Sequence, residues 1–307
     1  MKRVFRHLLS MIPVLLGVML LTFIMLRVIP GDPVTVLLGE HYSQDTIDKL
    51  TKAMDLDKPL WQQFFSYLSG VLRGDLGISY SLKRPVTDLI LQAFPYTVRL
   101  SLLAALFAWI PGLLFGIIAA VTQNSITDRL FMTFSLAGVS MPVFMAALLL
   151  QYVFAYRLRL LPLTSDASLA SMILPAIALG WNDIGSVSRL TRSSLLEVMQ
   201  AEYIDTAEAK GLGRAAIITR HALKNALLPV VTMMAMQFSS MLSGAVITEM
   251  VFAIPGIGRL ATDALQKRDM PLLQGTILFG TLLVVLGSLA ADLLCFALDP
   301  RIRKEDV

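Results

Sequence analysis

Long apolar runs, not strict alternation, dominate the order of hydrophobic and polar positions along this chain. A helix needs roughly 20 mainly apolar residues to cross the hydrocarbon of a bilayer. The runs Leu8 to Val28, Leu100 to Thr122, Leu130 to Tyr156, Met172 to Leu190, Pro229 to Val251 and Gln274 to Leu298 meet that length, and each is read as a span. The first follows Lys2, Arg3 and Arg6, a basic start shared with signal peptides, but it is too long and lacks an A-x-A-like cleavage site, so it is read as an uncleaved span. Between spans one and two, Pro30 to Arg99 opens with the turn-rich Pro30-Gly31-Asp32-Pro33. Helical spacing of Ile47, Leu50 and Met54, and again of Leu60, Phe64 and Leu68, predicts a small helical cap there. A second non-membrane piece, Arg189 to Leu228, is rich in charge.

Composition narrows the class. Of 307 residues 56% are hydrophobic and 16% charged, where a soluble domain carries about 25% charged, and mean hydropathy is +0.70. This argues against an ordinary soluble enzyme, because so much apolar surface needs a second apolar phase. A net charge of +4 suits basic residues at membrane edges and does not imply nucleic acid. The single cysteine, Cys295, forms no intrachain disulfide and no thiolate metal site. An even number of spans puts both termini on one side. That side holds Lys2, Arg3, Arg6, Arg129, Arg189, Arg192, Lys210, Arg214, Arg220, Lys224, Arg301, Arg303 and Lys304, against Arg157, Arg159, Arg259, Lys267 and Arg268 in the short loops opposite, so both termini are expected in the cytoplasm. The expected organisation is residues 1–29 as N-terminus and first span, 30–99 as an outward cap, 100–298 as a five-helix core with a cytoplasmic loop at 191–228, and 299–307 as a tail.

Within that loop, Leu195, Val198 and Met199 form an apolar stripe, Glu202, Asp205 and Glu208 follow as acids, and Lys210, Arg214, Arg220 and Lys224 as bases. Gly211 and Gly213 permit a sharp turn, predicting two short helices joined at glycine. Such an element presents a knob to a partner protein, or lies on anionic lipid as an amphipathic segment; the residues alone leave both open.

The stretch Tyr203-Ile204-Asp205-Thr206-Ala207-Glu208-Ala209-Lys210-Gly211-Leu212, followed by Arg220-His221-Ala222-Leu223-Lys224-Asn225-Ala226-Leu227-Leu228-Pro229, resembles the EAA loop of bacterial binding-protein-dependent ABC importer permeases, and more narrowly the oligopeptide/dipeptide/nickel branch. The resemblance extends through Leu56-Asp57-Lys58-Pro59-Leu60, Gly74-Asp75-Leu76-Gly77-Ile78-Ser79, Ser140-Met141-Pro142, Glu249-Met250-Val251-Phe252, Pro255-Gly256-Ile257-Gly258-Arg259, Arg268-Asp269-Met270-Pro271 and Asp299-Pro300-Arg301-Ile302-Arg303. It departs from the general EAA pattern where Thr206-Ala207 replaces the Glu-Ala pair and where Pro229 lies farther beyond Gly211. What the resemblance implies is an all-α, type I importer permease fold with six transmembrane helices, in the cytoplasmic membrane of a bacterium. It implies a coupling helix seated in a cytoplasmic ATPase, with Asp205, Thr206, Ala207, Glu208 and Lys210 at the contact, Gly211 at the turn, and Asn225 and Pro229 at the exit into span five. The implied partners are a second homologous permease, two ABC ATPases carrying ATP and Mg, and an external solute-binding protein, with no cofactor in this chain.

No G-x-x-x-x-G-K-[S/T] loop occurs, so no ATP site is assigned here. Gly256-Ile257-Gly258-Arg259-Leu260-Ala261 matches G-x-G-x-x-A but lacks a surrounding βαβ unit, and reads as a turn near the outer mouth. His7, His41 and His221 fall in different places and form no ligand set, and Met233, Met234, Met236 and Met241 read as packing. Charged groups at membrane depth should face the bundle or water. Asn182, Asp183, Gln237, Glu249 and Asp292 are therefore the candidates for the translocation path. The competing class is an ion-coupled transporter in which Asp183 or Asp292 carries a proton; an intramembrane enzyme lacks a Ser/His, H-E-x-x-H or paired-Asp constellation. The short connection from Arg157 to Ser171 tilts the cargo toward nickel or small peptides.

Overall fold

The computed structural model describes residues 2–28, 48, 51–52, 56–166 and 168–298. The Pro30–Pro33 turn, the Ile47/Leu50/Met54 stripe, His41, the Asp299–Arg303 motif and the 299–307 tail lie outside the described residues. All regular elements among the described residues are helical.

In chain order these are α1 (Lys2–Val28), α2 (Leu60–Leu72) and α3 (Val86–Val121). Next come α4 (Ile126–Ser140) and α5 (Val143–Arg157), whose last turns, Gln151–Arg157, are π-helical. Then follow α6 (Leu169–Val198), α7 (Glu202–Ala209) and α8 (Arg214–Leu242), the last with a π segment at Ile217–Ala222. The chain closes with α9 (Val246–Val251), α10 (Ile257–Gln266) and α11 (Met270–Leu298). Prolines 13, 95, 111, 175 and 229 sit inside helices. Apolar packing between neighbouring helices tolerates them.

Among the described residues three single helices are long and apolar enough to cross a membrane: α3, α8 and α11. The structure moves several expected boundaries. The helix that holds the second apolar run begins well before it, since α3 starts at Val86. The run from Leu130 to Tyr156 is not one rod: α4 and α5 meet at Met141-Pro142 with a bend of 100°. Pro142 cannot donate to the α4 ladder and pushes Met141 to extended backbone (ψ 122°), which ends the helix there. Span five does not reach Val251, because α8 stops at Leu242 and Gly244 turns the chain with φ +120°. In α2 the expected apolar face is displaced: Gln63 is buried while Leu60 is exposed.

The 36 residues of α3, about 54 Å at 1.5 Å per residue, thread three apolar cores in succession. Val86, Leu89, Ile90 and Ala93 pack with Ile257 and Ala264 of α10 and Leu272 of α11. Leu100, Ala104 and Ala105 join Ala147, Met172, Ala178, Met241, Phe252 and Ile254. Ala120 joins Leu195, Ile204, Ala207, Ile217, Ala222 and Ala226. Glycines let α6 lie tight between α3 and α4. A Cβ on Gly116 would stand 2.6 Å from the Ser188 carbonyl oxygen, and one on Gly180 2.6 Å from that of Ala104. On the other side, a Cβ on Gly185 would overlap the Ser135 carbonyl oxygen. The Gly112/Gly116 pair thus serves packing inside this chain.

Residues far apart in sequence lock the segment before α3 onto α11. Asp269, fully buried, accepts from the hydroxyls of Ser79 (2.6 Å) and Ser81 (2.7 Å) and from the N–H groups of Tyr80 (3.0 Å) and Ser81 (2.9 Å). The same side chain accepts from Leu272 N–H (3.3 Å) in the first turn of α11. The Gly74–Ser79 and Arg268–Pro271 motifs are one structural unit.

Candidate coupling surface and transport path

The loop at 191–228 folds as a short helix tucked under the bundle. Glu202 and Asp205 occupy the first turn of α7, where a helix N-terminus favours acids. Ile204 and Ala207 are buried in the core with Leu195, Ile217, Ala222 and Ala226. Gly211 closes the helix at φ +80°, donating its N–H to the Glu208 carbonyl (2.8 Å), and nothing lies within 4 Å of where its Cβ would be. Gly213 does not share this role: its φ of −66° is open to any residue, and it caps the start of α8.

What remains outside is a polar row. Glu202, Asp205, Thr206, Glu208 and Lys210 are exposed. Ala207 faces inward, so it seats the helix. The exposed Asn225 amide donates to the Tyr203 hydroxyl (2.9 Å), bracing α7 against α8. Pro229 lies exposed inside α8 and does not interrupt the helix. An amphipathic segment lying on lipid needs its apolar face free. Here that face is spent on the chain's own core, and of the larger apolar side chains of this turn only Tyr203 and Leu212 stay partly open, each at 38%.

At the other end of α3, Glu249 is fully buried. Its carboxylate accepts from the Thr97 hydroxyl (2.8 Å) and from Arg259 N–H (3.0 Å), while Thr97 Oγ1 accepts from Ile257 N–H (2.9 Å). The G-x-G-x-x-A stretch therefore does gather a carboxyl group at a helix N-terminus, but that group is the chain's own Glu249. A Cβ on Gly256 would overlap the Glu249 carboxylate, and one on Gly258 would stand 2.7 Å from Val246 Cα. Replacing Glu249 by alanine leaves buried donors without an acceptor and should destabilise the fold by about 2–4 kcal/mol. A fall in unfolding temperature of the detergent-solubilised protein, smaller for Glu249→Gln, checks this; an unchanged temperature contradicts it.

The remaining path candidates are distributed. Asn182 and Asp183 are half-buried on α6. Gln237 on α8 is half-buried, and its Oε1 is enclosed without a partner. Asp292 is exposed on α11. Glu249 presents no surface to a path, being enclosed on all sides. Among the described residues no three His, Cys, Asp or Glu side chains converge as metal ligands.

Comparison with known proteins gives the family. Residues 112–304 match the family described as binding-protein-dependent transport system inner membrane component, and residues 1–101 match its N-terminal membrane component. The chain belongs to this family. The dipeptide transport system permease protein DppB of Escherichia coli K12 is 39% identical over 332 residues, covering 98% of each chain. The glutathione transport system permease protein GsiC of the same strain is 39% identical over 300 residues, again covering 98% of each. A chain of the inward-facing MetNI methionine ABC transporter superposes with a TM-score of 0.59 at 16% identity, covering 69% of this chain and 96% of that one. It shares the fold of that transporter's chain.

Two features of this permease escaped the sequence reading. Asp128 and Arg192 form a forked ion pair, Nε to Oδ1 and Nη2 to Oδ2, each 2.7 Å, joining the start of α4 to the end of α6 beside the coupling loop. Asp128 also accepts from Asn124 N–H (3.0 Å) while Ser125 caps the helix by accepting from Asp128 N–H (3.2 Å). The Ser125-x-x-Asp128 spacing is a capping-box signal that would have placed this helix start. Asp269 carried its own signal, an acid at a helix cap with proline in the first turn.

Proposed function

We propose that this chain is the membrane subunit of an ATP-driven importer of small peptides, dipeptides or glutathione-like, forming half of the translocation path. Its spans are α1, α3, the bent pair α4–α5, α6, α8 and α11, with both termini in the cytoplasm. The segment 30–99 lies outside and receives a solute-binding protein; 100–298 forms the core. α6 is less apolar than its neighbours because it is wedged among α3, α4 and α8, and a helix packed by other helices needs little lipid-compatible surface. The other half is a second homologous permease, and ATP and Mg are handled by two ATPase subunits.

The observation that carries the reading is α7: a helix whose apolar side is anchored in the bundle and whose polar row of Asp205, Thr206, Glu208 and Lys210 faces outward. That is the form of a lever moved by another protein. Asn182, Asp183, Gln237 and Asp292 line the path, and Glu249 holds α10 in place behind it. The alignment with the glutathione permease takes 300 positions and that with the dipeptide permease 332.

Uptake of labelled dipeptide or glutathione decides between ATP drive and ion coupling. Uptake should persist when an uncoupler collapses the proton gradient at constant ATP, and stop when the ATPase partner loses its phosphate-loop lysine. The reverse pattern would overturn the reading and return Asp183 or Asp292 as proton carriers.

A further inference from the structure

Helix α2 has three faces, not two. Gln63, Phe64, Tyr67 and Val71 turn toward the chain; Gln63 is buried and the others are half-buried. This side is fastened to the end of α1. Arg27 donates to Gln63 Oε1 through Nε (3.1 Å) and Nη2 (2.6 Å), its guanidinium lies 3.4 Å over the Phe23 ring, and Phe64 meets Phe23 edge-on at 5.3 Å. Gln63 Nε2 in turn donates to the Lys58 carbonyl (2.8 Å).

A second face is polar and exposed: Gln62, Ser66 and Ser69. The third carries Trp61, Phe65, Leu68 and Leu72, spaced i, i+4, i+7 and i+11 along one side. Of these Trp61 is 62% exposed, Phe65 59% and Leu72 81%. A helix between protein and water needs two kinds of surface. Three kinds call for a third medium.

Charge says which medium. From Leu60 to Leu72 there is no charged residue, while charges of both signs lie at the two ends, Asp57 and Lys58 before and Arg73 and Asp75 after. Burial pushes the Tyr67 phenol up to about 12, so it adds no charge near neutral pH. Aromatic and aliphatic side chains on one face, an uncharged polar face beside them and charges confined to the margins fit the level of lipid headgroups. Its position fits as well, since α2 is pinned to the last turns of a helix whose own Leu20, Leu21, Ile24 and Met25 are exposed apolar residues.

We infer that α2 is a membrane-interface helix that sets its Trp61/Phe65/Leu72 face into the outer leaflet, anchoring the outward segment to phospholipid. The inference rests on the proposal that α1 spans the membrane. It also divides the labour of the outward segment, leaving the residues beyond α2 to meet a soluble partner.

Photocrosslinking in living cells tests it in the native assembly. Benzoylphenylalanine is placed singly at Trp61, Phe65, Ser69 and Leu21, and adducts are identified by mass. Phospholipid adducts at Trp61 and Phe65 should exceed those at Ser69 several-fold, with Leu21 also giving lipid. Adducts to another protein at both Trp61 and Phe65, or lipid yields there no higher than at Ser69, overturn the inference. If Leu21 also fails to reach lipid, the spanning of α1 falls with it; lipid at Leu21 alone sinks only the interface helix.

Discussion

Leucine in place of Gly185 should abolish the stably folded subunit. The obstacle is the Ser135 carbonyl oxygen on α4, which a Cβ would overlap, with Val139 Cγ2 close behind at 2.6 Å. Backbone cannot rotate aside as a side chain can, so α4 would have to part from α6. Trp181, packed edge-on against Phe134 with ring centroids 5.3 Å apart, would separate with it. Overpacking of this kind costs about 3 kcal/mol or more, a large part of a domain's stability. Membrane yield and thermal unfolding in detergent should fall sharply for Gly185→Leu and by less for Gly185→Ala. Gly213→Ala, where nothing lies within 4 Å of the added carbon, should leave both unchanged. Equal yields for all three variants would mean that α4 and α6 are not packed at this distance.

Valine in place of Gly211 should leave the protein in the membrane and break transport. The site is open, so no clash unfolds it; the burden is the φ of +80°. Left-handed backbone costs an L-residue about 1–2 kcal/mol, and more when it is β-branched. A tilt of about 1.4 kcal/mol changes a population about tenfold. Substrate uptake should therefore drop by about that factor while membrane level holds and ATP hydrolysis continues without responding to loaded binding protein. Gly211→Asn, which tolerates that backbone better, should recover most of the uptake. Full transport by the valine variant would remove α7 as the lever.

The two glycines also show where local pattern suffices and where it does not. Gly211 was legible because it follows an amphipathic run of helix-forming residues and precedes another, and a helix that stops there needs a left-handed turn. The seating of α7 by Ile204 and Ala207 is not legible in the sequence: the resemblance puts Ala207 at the ATPase contact, and that Ile204 and Ala207 turn inward to meet α6 and α8 depends on neighbours. Gly185 looked like any membrane glycine. The G-x-G stretch at Gly256 was discounted as a nucleotide site for want of a βαβ unit, yet its reason for being glycine, the Glu249 carboxylate pressed against it, could not be read from spacing. Glu249 was itself expected to line a path for the same cause: a buried charge draws attention, and its satisfaction by Thr97 and Arg259 lies 152 and 10 residues away.

The sequence by itself determined the all-helical membrane class, the apolar cores of α3, α8 and α11, the helix–glycine–helix form of the coupling loop, and the family. The first three follow from local composition and short spacing, which the bilayer reads one segment at a time; the family rests on the resemblance of the motifs. The tertiary structure alone decided the 100° bend at Pro142, the wedging of α6, the joining of Asp269 to Ser79 and Ser81, and the three-faced α2. Those depend on which surfaces meet, and residues as much as 190 positions apart become neighbours only when the whole bundle closes.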